Sequence, residues 1–75
     1  MQALVKTTYN GDMRLFELET HSITALRTAV QKLYGLNDPV FFTYTDSDGD
    51  AVVFDRDDEF SLALRTQRVP LKVQV

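Results

Sequence analysis

The sequence of 75 residues has no cysteine, no tryptophan and only one histidine. Without cysteine the chain can form no disulfide, no thiolate metal site and no thiol nucleophile. A single histidine also excludes a metal centre built from several histidines. No apolar run approaches the length of about 18 residues that spans a bilayer, and no cationic leader precedes an apolar stretch. We therefore expect a cytoplasmic protein that does not contact a membrane.

The composition that remains is typical of one small folded domain. Hydrophobic residues make up 44% of the chain and charged residues 25%, and eight side chains are aromatic. A domain of this size buries about 60% of the surface that its unfolded chain exposes, which is enough for one core. We predict a single domain over residues 1–75. A domain of this size offers little room for a substrate cleft. We therefore expect that the protein is not an enzyme and binds no cofactor or small-molecule substrate.

The net charge of −3 is distributed unevenly along the sequence. Between Asp46 and Glu59 there are seven acids and one base, which gives this segment a formal charge of −6. The other 61 residues hold four acids and seven bases, which gives them +3. A chain divided in this way is suited to bind a basic partner or copies of itself. Nucleic acid is disfavoured as a partner because the densest charge has the same sign as phosphate.

The first half of the chain has the pattern of a hairpin followed by a helix. Residues 3–9 and 13–19 are predicted strands, and Asn10-Gly11 between them is the strongest short hairpin signal. Ser22 is expected to cap a helix with one apolar face, and Gly35 is expected to end this helix in a left-handed conformation. That face consists of Ile23, Leu26, Val30 and Leu33.

The second half indicates three strands and another helix. Residues 40–45 and 51–54 are predicted strands joined by a turn over residues 46–50. Asp55 or Asp57 is expected to cap the second helix, which buries Phe60, Ala63 and Leu64. Residues 71–75 alternate as a last strand. The resulting order, ββαββαβ, favours an α+β fold of the ubiquitin-like β-grasp type, a mixed sheet with two helices packed on one face.

The acidic segment resembles the OPCA motif of the Phox and Bem (PB-one) domain family. The matching residues are Tyr44-Thr45-Asp46-Ser47-Asp48-Gly49-Asp50, then Val52-Val53-Phe54, then Asp57-Asp58-Glu59-Phe60. The first hairpin is similar to the same family, in which a first-strand lysine and basic residues at the start of the second strand form a complementary cluster. Lys6 and Arg14 hold these positions here. Some members have a second arginine where this chain has Leu15.

The resemblance implies a scaffolding module that pairs front to back, with the acidic motif of one domain receiving the lysine cluster of another. It assigns the acidic face to Asp46, Asp48, Asp50, Asp57, Asp58 and Glu59. It assigns the basic face to Lys6 and Arg14, and gives Tyr44 and Gly49 supporting roles in the motif. Since both faces are present, we predict head-to-tail self-association into oligomers or helical filaments. The start at Met1 fits the N-terminal domain of an autophagy cargo receptor or a signalling scaffold.

Two alternatives remain open from the sequence. In the first, the acidic segment binds a basic Phox and Bem domain of another protein and Lys6 takes no part. In the second, the spacing of Asp46, Asp48 and Asp50 serves a calcium ion. The second is disfavoured because Ala51 follows Asp50, where the loop of an EF-hand requires glycine.

Overall fold

The computed structural model of the chain describes residues 2–75. It contains five strands and two helices in the order ββαββαβ, as the sequence predicts. The elements are β1 (Ala3–Tyr9), β2 (Asp12–Leu18), α1 (Ile23–Tyr34), β3 (Phe42–Thr45), β4 (Ala51–Phe54), α2 (Asp57–Thr66) and β5 (Leu71–Gln74).

The strands form one mixed sheet with the order β2-β1-β5-β3-β4. The two hairpins, β1–β2 and β3–β4, are antiparallel and lie on either side of β5. The central strand β5 runs parallel to β1 and antiparallel to β3. The arrangement confirms the predicted β-grasp fold. In the described part of the chain, neither helix is long and apolar enough to cross a membrane.

The core lies between one face of the sheet and the two helices. Along β1 the buried residues are Ala3, Val5 and Thr7, while the residues between them face the other side of the sheet. This alternation is the pattern of a strand with one covered face. The covered face also includes five residues of the later strands, Phe42, Tyr44, Phe54, Leu71 and Val73. The helices contribute Ile23, Leu26, Val30, Phe60 and Ala63 to the same cluster.

Some element limits and one helix face differ from the sequence prediction. The third strand begins at Phe42, where pairing with Phe54 begins, so Val40 and Phe41 lie before it. The second strand begins one residue earlier than predicted, at Asp12, and the fifth ends at Gln74. In α1, Leu33 is 37% exposed. Tyr34, one turn after Val30, packs against the core in its place.

The two helices begin differently. Ser22 caps α1 as predicted, because its hydroxyl accepts a hydrogen bond of 3.2 Å from the amide of Ala25. The prediction that Asp55 or Asp57 caps α2 is wrong. Arg56 occupies the N-cap position, and within the described range no side-chain hydrogen bond caps this helix. The three acids of its first turn are suited to this helix end, since they interact favourably with the helix dipole.

Candidate functional site: an acidic turn and a lysine on the open face of the sheet

The acidic turn between β3 and β4 is built around the carboxylate of Asp46. One oxygen of this carboxylate, Oδ1, accepts hydrogen bonds from the amides of Asp48 (3.0 Å) and Asp50 (2.9 Å). The backbone closes the same turn, with the Asp46 amide donating to the Asp50 carbonyl at 2.9 Å. Gly49 has a φ of +83°, in the left-handed region that disfavours a side chain. Asp46 therefore shapes the turn as well as contributing a charge.

The turn brings three carboxylates together. Asp46, Asp48 and Asp50 each offer an oxygen, and these oxygens lie within 4.8 Å of one another. Asp48 and Asp50 are exposed and Asp46 is half-buried. Carboxylates this close repel one another, so a cation that binds between them both attracts and relieves repulsion. An ammonium group fits because its three donors can be shared among several acceptors.

Tyr44, which was predicted to support the acidic motif, belongs to the core. It is 9% exposed, and its ring lies 5.7 Å from that of Phe54 between centroids. Phe54 in turn stacks on Phe60 of α2 at 5.8 Å. This aromatic cluster holds the β3–β4 hairpin against the start of α2. The acidic turn and the acidic first turn of α2 are thereby attached to one rigid core.

The three acids of the first turn of α2 make different contacts. Asp57 Oδ1 accepts a hydrogen bond of 2.8 Å from the amide of Ile23, the first residue of α1. Glu59 reaches back and accepts from the amide of Asp55 at 3.1 Å. Asp58 forms an exposed ion pair with Arg56 at 3.1 Å. Asp57 therefore joins the beginnings of the two helices, whereas the contacts of Asp58 and Glu59 lie at the start of α2.

Lys6 and Arg14, the two predicted basic residues, lie on opposite faces of the sheet. Residues that are directly paired on neighbouring strands share a face. Lys6 pairs with Leu15, and Arg14 pairs with the buried Thr7. Lys6 therefore lies on the open face, away from the helices, whereas Arg14 lies on the helix side at the sheet edge.

Arg14 already has a partner within its own chain. Its guanidinium donates to both carboxylate oxygens of Asp12, at 3.0 and 3.1 Å. This hydrogen bond lowers the pKa of Asp12 and raises the pKa of Arg14. The guanidinium also lies 5.8 Å from the ring centroid of Tyr34, a cation–π contact. Both groups of the ion pair are about half exposed, so the pair can open for another partner.

Lys72 is a basic residue that the sequence did not connect with Lys6. The alternation in β5 predicts an exposed side chain at position 72, but it does not say which strand lies beside β5. In the structure β5 is parallel to β1 and Lys72 pairs with Lys6. The only sequence signal for this neighbour is the β-grasp topology, in which the last strand pairs with the first.

The surface of the described residues also has shallow depressions. Three depressions have volumes of about 500, 580 and 440 Å³. The first lies beside the acidic turn and is lined by Asp46, Arg68 and Lys72, among others. All three are open to solvent, and none is an enclosed substrate cleft. Volume alone does not indicate catalysis.

The order and pairing of the strands define a small β-grasp domain. A sequence profile of the PB1 domain, the Phox and Bem family that the sequence resembles, matches residues 2–75. The chain therefore belongs to the PB1 domain family. Members of this family are interaction modules and not enzymes. A comparison with the curated proteins found no significant match.

Two solved structures have the same fold. The cryo-EM structure of the AtNBR1-PB1 filament (L-type) has a TM-score of 0.82 and 24% identity, covering 100% of this chain and 96% of that chain. The structure of the AtNBR1-PB1 domain has a TM-score of 0.82 and 22% identity, covering 97% and 93%. At this level of identity the likeness concerns the fold.

Proposed function

We propose that this PB1 domain self-associates head to tail, with the acidic turn of one copy binding Lys6 of the next. The observation that carries this proposal is the separation of charge within the sheet. The acidic turn belongs to the β3–β4 hairpin, and Lys6 belongs to the β1–β2 hairpin on the other side of β5. One molecule thus offers two complementary surfaces in different places.

The chemistry of the two surfaces favours a network of ion pairs over a single contact. An exposed ion pair contributes only about 0.2–1 kcal/mol, so one lysine and one aspartate could not hold two domains together. Three converging carboxylates, together with the acids Asp57, Asp58 and Glu59 of the first turn of α2, make a stronger site. The basic side that we propose centres on Lys6, and Arg14, on the opposite face at the sheet edge, adds charge once its ion pair with Asp12 opens. Association should be fast and sensitive to salt.

The symmetry of such a contact determines the assembly. A contact between two different surfaces is heterologous, so each pair leaves one acidic and one basic surface free. Addition of further copies gives a ring if the rotation closes and a helical filament if it does not. The filament formed by AtNBR1-PB1 is an assembly of a domain with this fold, which supports the open form. We propose the cytoplasm, and a place in a cargo receptor or signalling scaffold, as the setting in which polymerisation concentrates weak binding sites.

An acidic adaptor is the alternative within the same family. In that function the acidic face binds a basic PB1 domain of another protein, and Lys6 is idle. The ion pair of Arg14 with Asp12 favours this alternative, since it reduces the charge available on the basic side. Calcium binding by Asp46, Asp48 and Asp50 is less favoured because calcium takes about six to eight oxygens.

Variants that inactivate one surface each separate these functions. Lys6→Gln removes the basic centre, and Asp46→Asn with Asp48→Asn removes charge from the acidic turn while keeping the oxygen that shapes it. Molar mass by light scattering is measured for each variant alone and for an equimolar mixture. Self-association predicts two monomers and a 1:1 dimer on mixing. If the two variants remain monomeric when mixed and the wild type is also monomeric, self-association is excluded and the acidic adaptor becomes the favoured function. Calcium that raises the melting temperature would indicate the metal site instead.

A further inference from the structure

The open face of the sheet has two lysines side by side. Lys6 of β1 and Lys72 of β5 are partners in the parallel ladder, so their side chains share this face. Leu71 and Val73, the neighbours of Lys72 in sequence, are buried on the other face at 2% and 1% exposure. Because side chains alternate along a strand, the side chain of Lys72 projects from the open face.

Neither ammonium group forms an ion pair within the described chain, although Glu17 lies diagonally opposite Lys6 on the same face and Asp46 lines the same depression as Lys72. The ion pairs of residues 2–75 are those of Arg14 with Asp12 and of Arg56 with Asp58. Like charges on paired residues of neighbouring strands repel one another. A set of carboxylates brought to this face would remove the repulsion and add attraction. An anionic partner therefore gains more binding free energy from the lysine pair than from a single lysine.

The rest of the basic side does not share this face. Arg14 lies on the other side of the sheet and is already paired with Asp12. The neighbour of Lys6 on its remaining side is Leu15, which is 60% exposed and gives the lysines an apolar flank. Lys6 and Lys72 are thus the basic residues that the strands present on the open face, where Glu17, the partner of Leu4, is the acid.

We propose that Lys6 and Lys72 together form the basic docking surface, and that its occupant is the acidic turn of a second copy of this chain. This proposal rests on the proposed head-to-tail function and defines its basic half. The argument for the occupant is charge complementarity. The oxygens of Asp46, Asp48 and Asp50 lie within 4.8 Å of one another, so that several carboxylates can meet both ammonium groups. In this interface Lys72 contributes more than Arg14.

The test uses the two inactivated copies as a binding pair. The Asp46→Asn/Asp48→Asn copy presents the lysines, and the Lys6→Gln copy presents the acids. Their dissociation constant is measured by calorimetry at several salt concentrations. Lys72→Gln in the lysine-presenting copy should weaken binding by about three- to tenfold and reduce its salt dependence. Lys72→Arg should retain the affinity, because it keeps the charge.

Matched controls determine where Lys72 acts. Arg65→Gln makes the same change of charge on α2 and should alter the affinity by less than about twofold. Arg14→Gln should have a smaller effect than Lys72→Gln. Lys72→Gln in the acid-presenting copy should leave binding unchanged. If Lys72→Gln does not fold as shown by circular dichroism, Lys72→Thr, a residue favoured in strands, replaces it.

The outcomes separate the two proposals. If the parent pair binds but Lys72→Gln has no effect in the lysine-presenting copy, the lysine pair is refuted and the proposed function stands. An effect only in the acid-presenting copy would also refute the lysine pair, since Lys72 would then act on the nearby acidic turn. If the parent pair does not bind at all, the proposed function itself fails, and the lysine pair fails with it.

Discussion

Asp46 has two separable tasks in this domain, one in shaping the acidic turn and one in carrying charge. The substitution Asp46→Ala removes both, because it deletes the oxygen that accepts from the amides of Asp48 and Asp50. Asp46→Asn removes only the charge, since the amide oxygen can accept the same two hydrogen bonds. We expect Asp46→Ala to lose stability and binding, and Asp46→Asn to lose binding alone.

The expected loss of stability follows from the two hydrogen bonds. Each contributes about 0.5–1.5 kcal/mol net, and their exposed position favours the lower end of that range. Asp46→Ala should therefore reduce the free energy of unfolding by about 1–2 kcal/mol. For a domain of this size this corresponds to a fall in melting temperature of about 5–15 °C. Asp46→Asn should remain within about 0.5 kcal/mol of the parent.

The assay is urea unfolding followed by far-ultraviolet circular dichroism. All variants carry Lys6→Gln, because self-association would otherwise stabilise the folded state by mass action. Asp48→Ala is the matched control, since within the described residues its carboxylate accepts no hydrogen bond. This control should leave stability within about 0.5 kcal/mol of the parent. Equal destabilisation by Asp46→Ala and Asp46→Asn, or none by Asp46→Ala, would refute the reasoning.

Three further predictions concern other residues of the charged surfaces. Asp57→Ala should cost about 0.5–2 kcal/mol in urea unfolding, because the amide of Ile23 loses its acceptor, while Asp57→Asn should cost less. Gly49→Ala should cost about 1–2 kcal/mol, because alanine is strained at a φ of +83°; no loss would contradict the geometry of the turn. The pKa of Asp12, followed by NMR titration, should lie below its ordinary value and return to it in Arg14→Gln. Because the folded pKa is lowered, the ion pair stabilises the fold above the ordinary pKa, and this contribution is lost as the pH falls through the lowered value; an unchanged pKa in Arg14→Gln would contradict the pairing.

The sequence predicted the elements well where the signal is local. The hairpin at Asn10-Gly11, the cap at Ser22 and the turn over residues 46–50 depend on residues close together in the chain, and all three are present. The alternation predicted for residues 71–75 likewise agrees with the burial of Leu71 and Val73 and the exposure of Lys72 and Gln74. These features depend on backbone preferences and on the period of a strand.

The sequence failed where the answer depends on a distant part of the fold. Asp57 satisfies a helix end 34 residues away instead of capping its own helix. Tyr34 packs against the core where Leu33 was expected, and its hydroxyl lies 2.9 Å from Thr7 Oγ1, a residue 27 positions earlier in the chain. The separation of Lys6 from Arg14 and its pairing with Lys72 follow from strand register, which no local pattern reveals.

The most direct test of head-to-tail self-association is the molar mass of the wild-type domain. Light scattering is measured over a range of protein concentrations, at low and at high salt. The account predicts a mass that rises with concentration well beyond the 8.6 kDa of one chain at low salt and falls towards it at high salt. A wild-type domain that keeps the mass of one chain at high concentration and low salt would contradict the account.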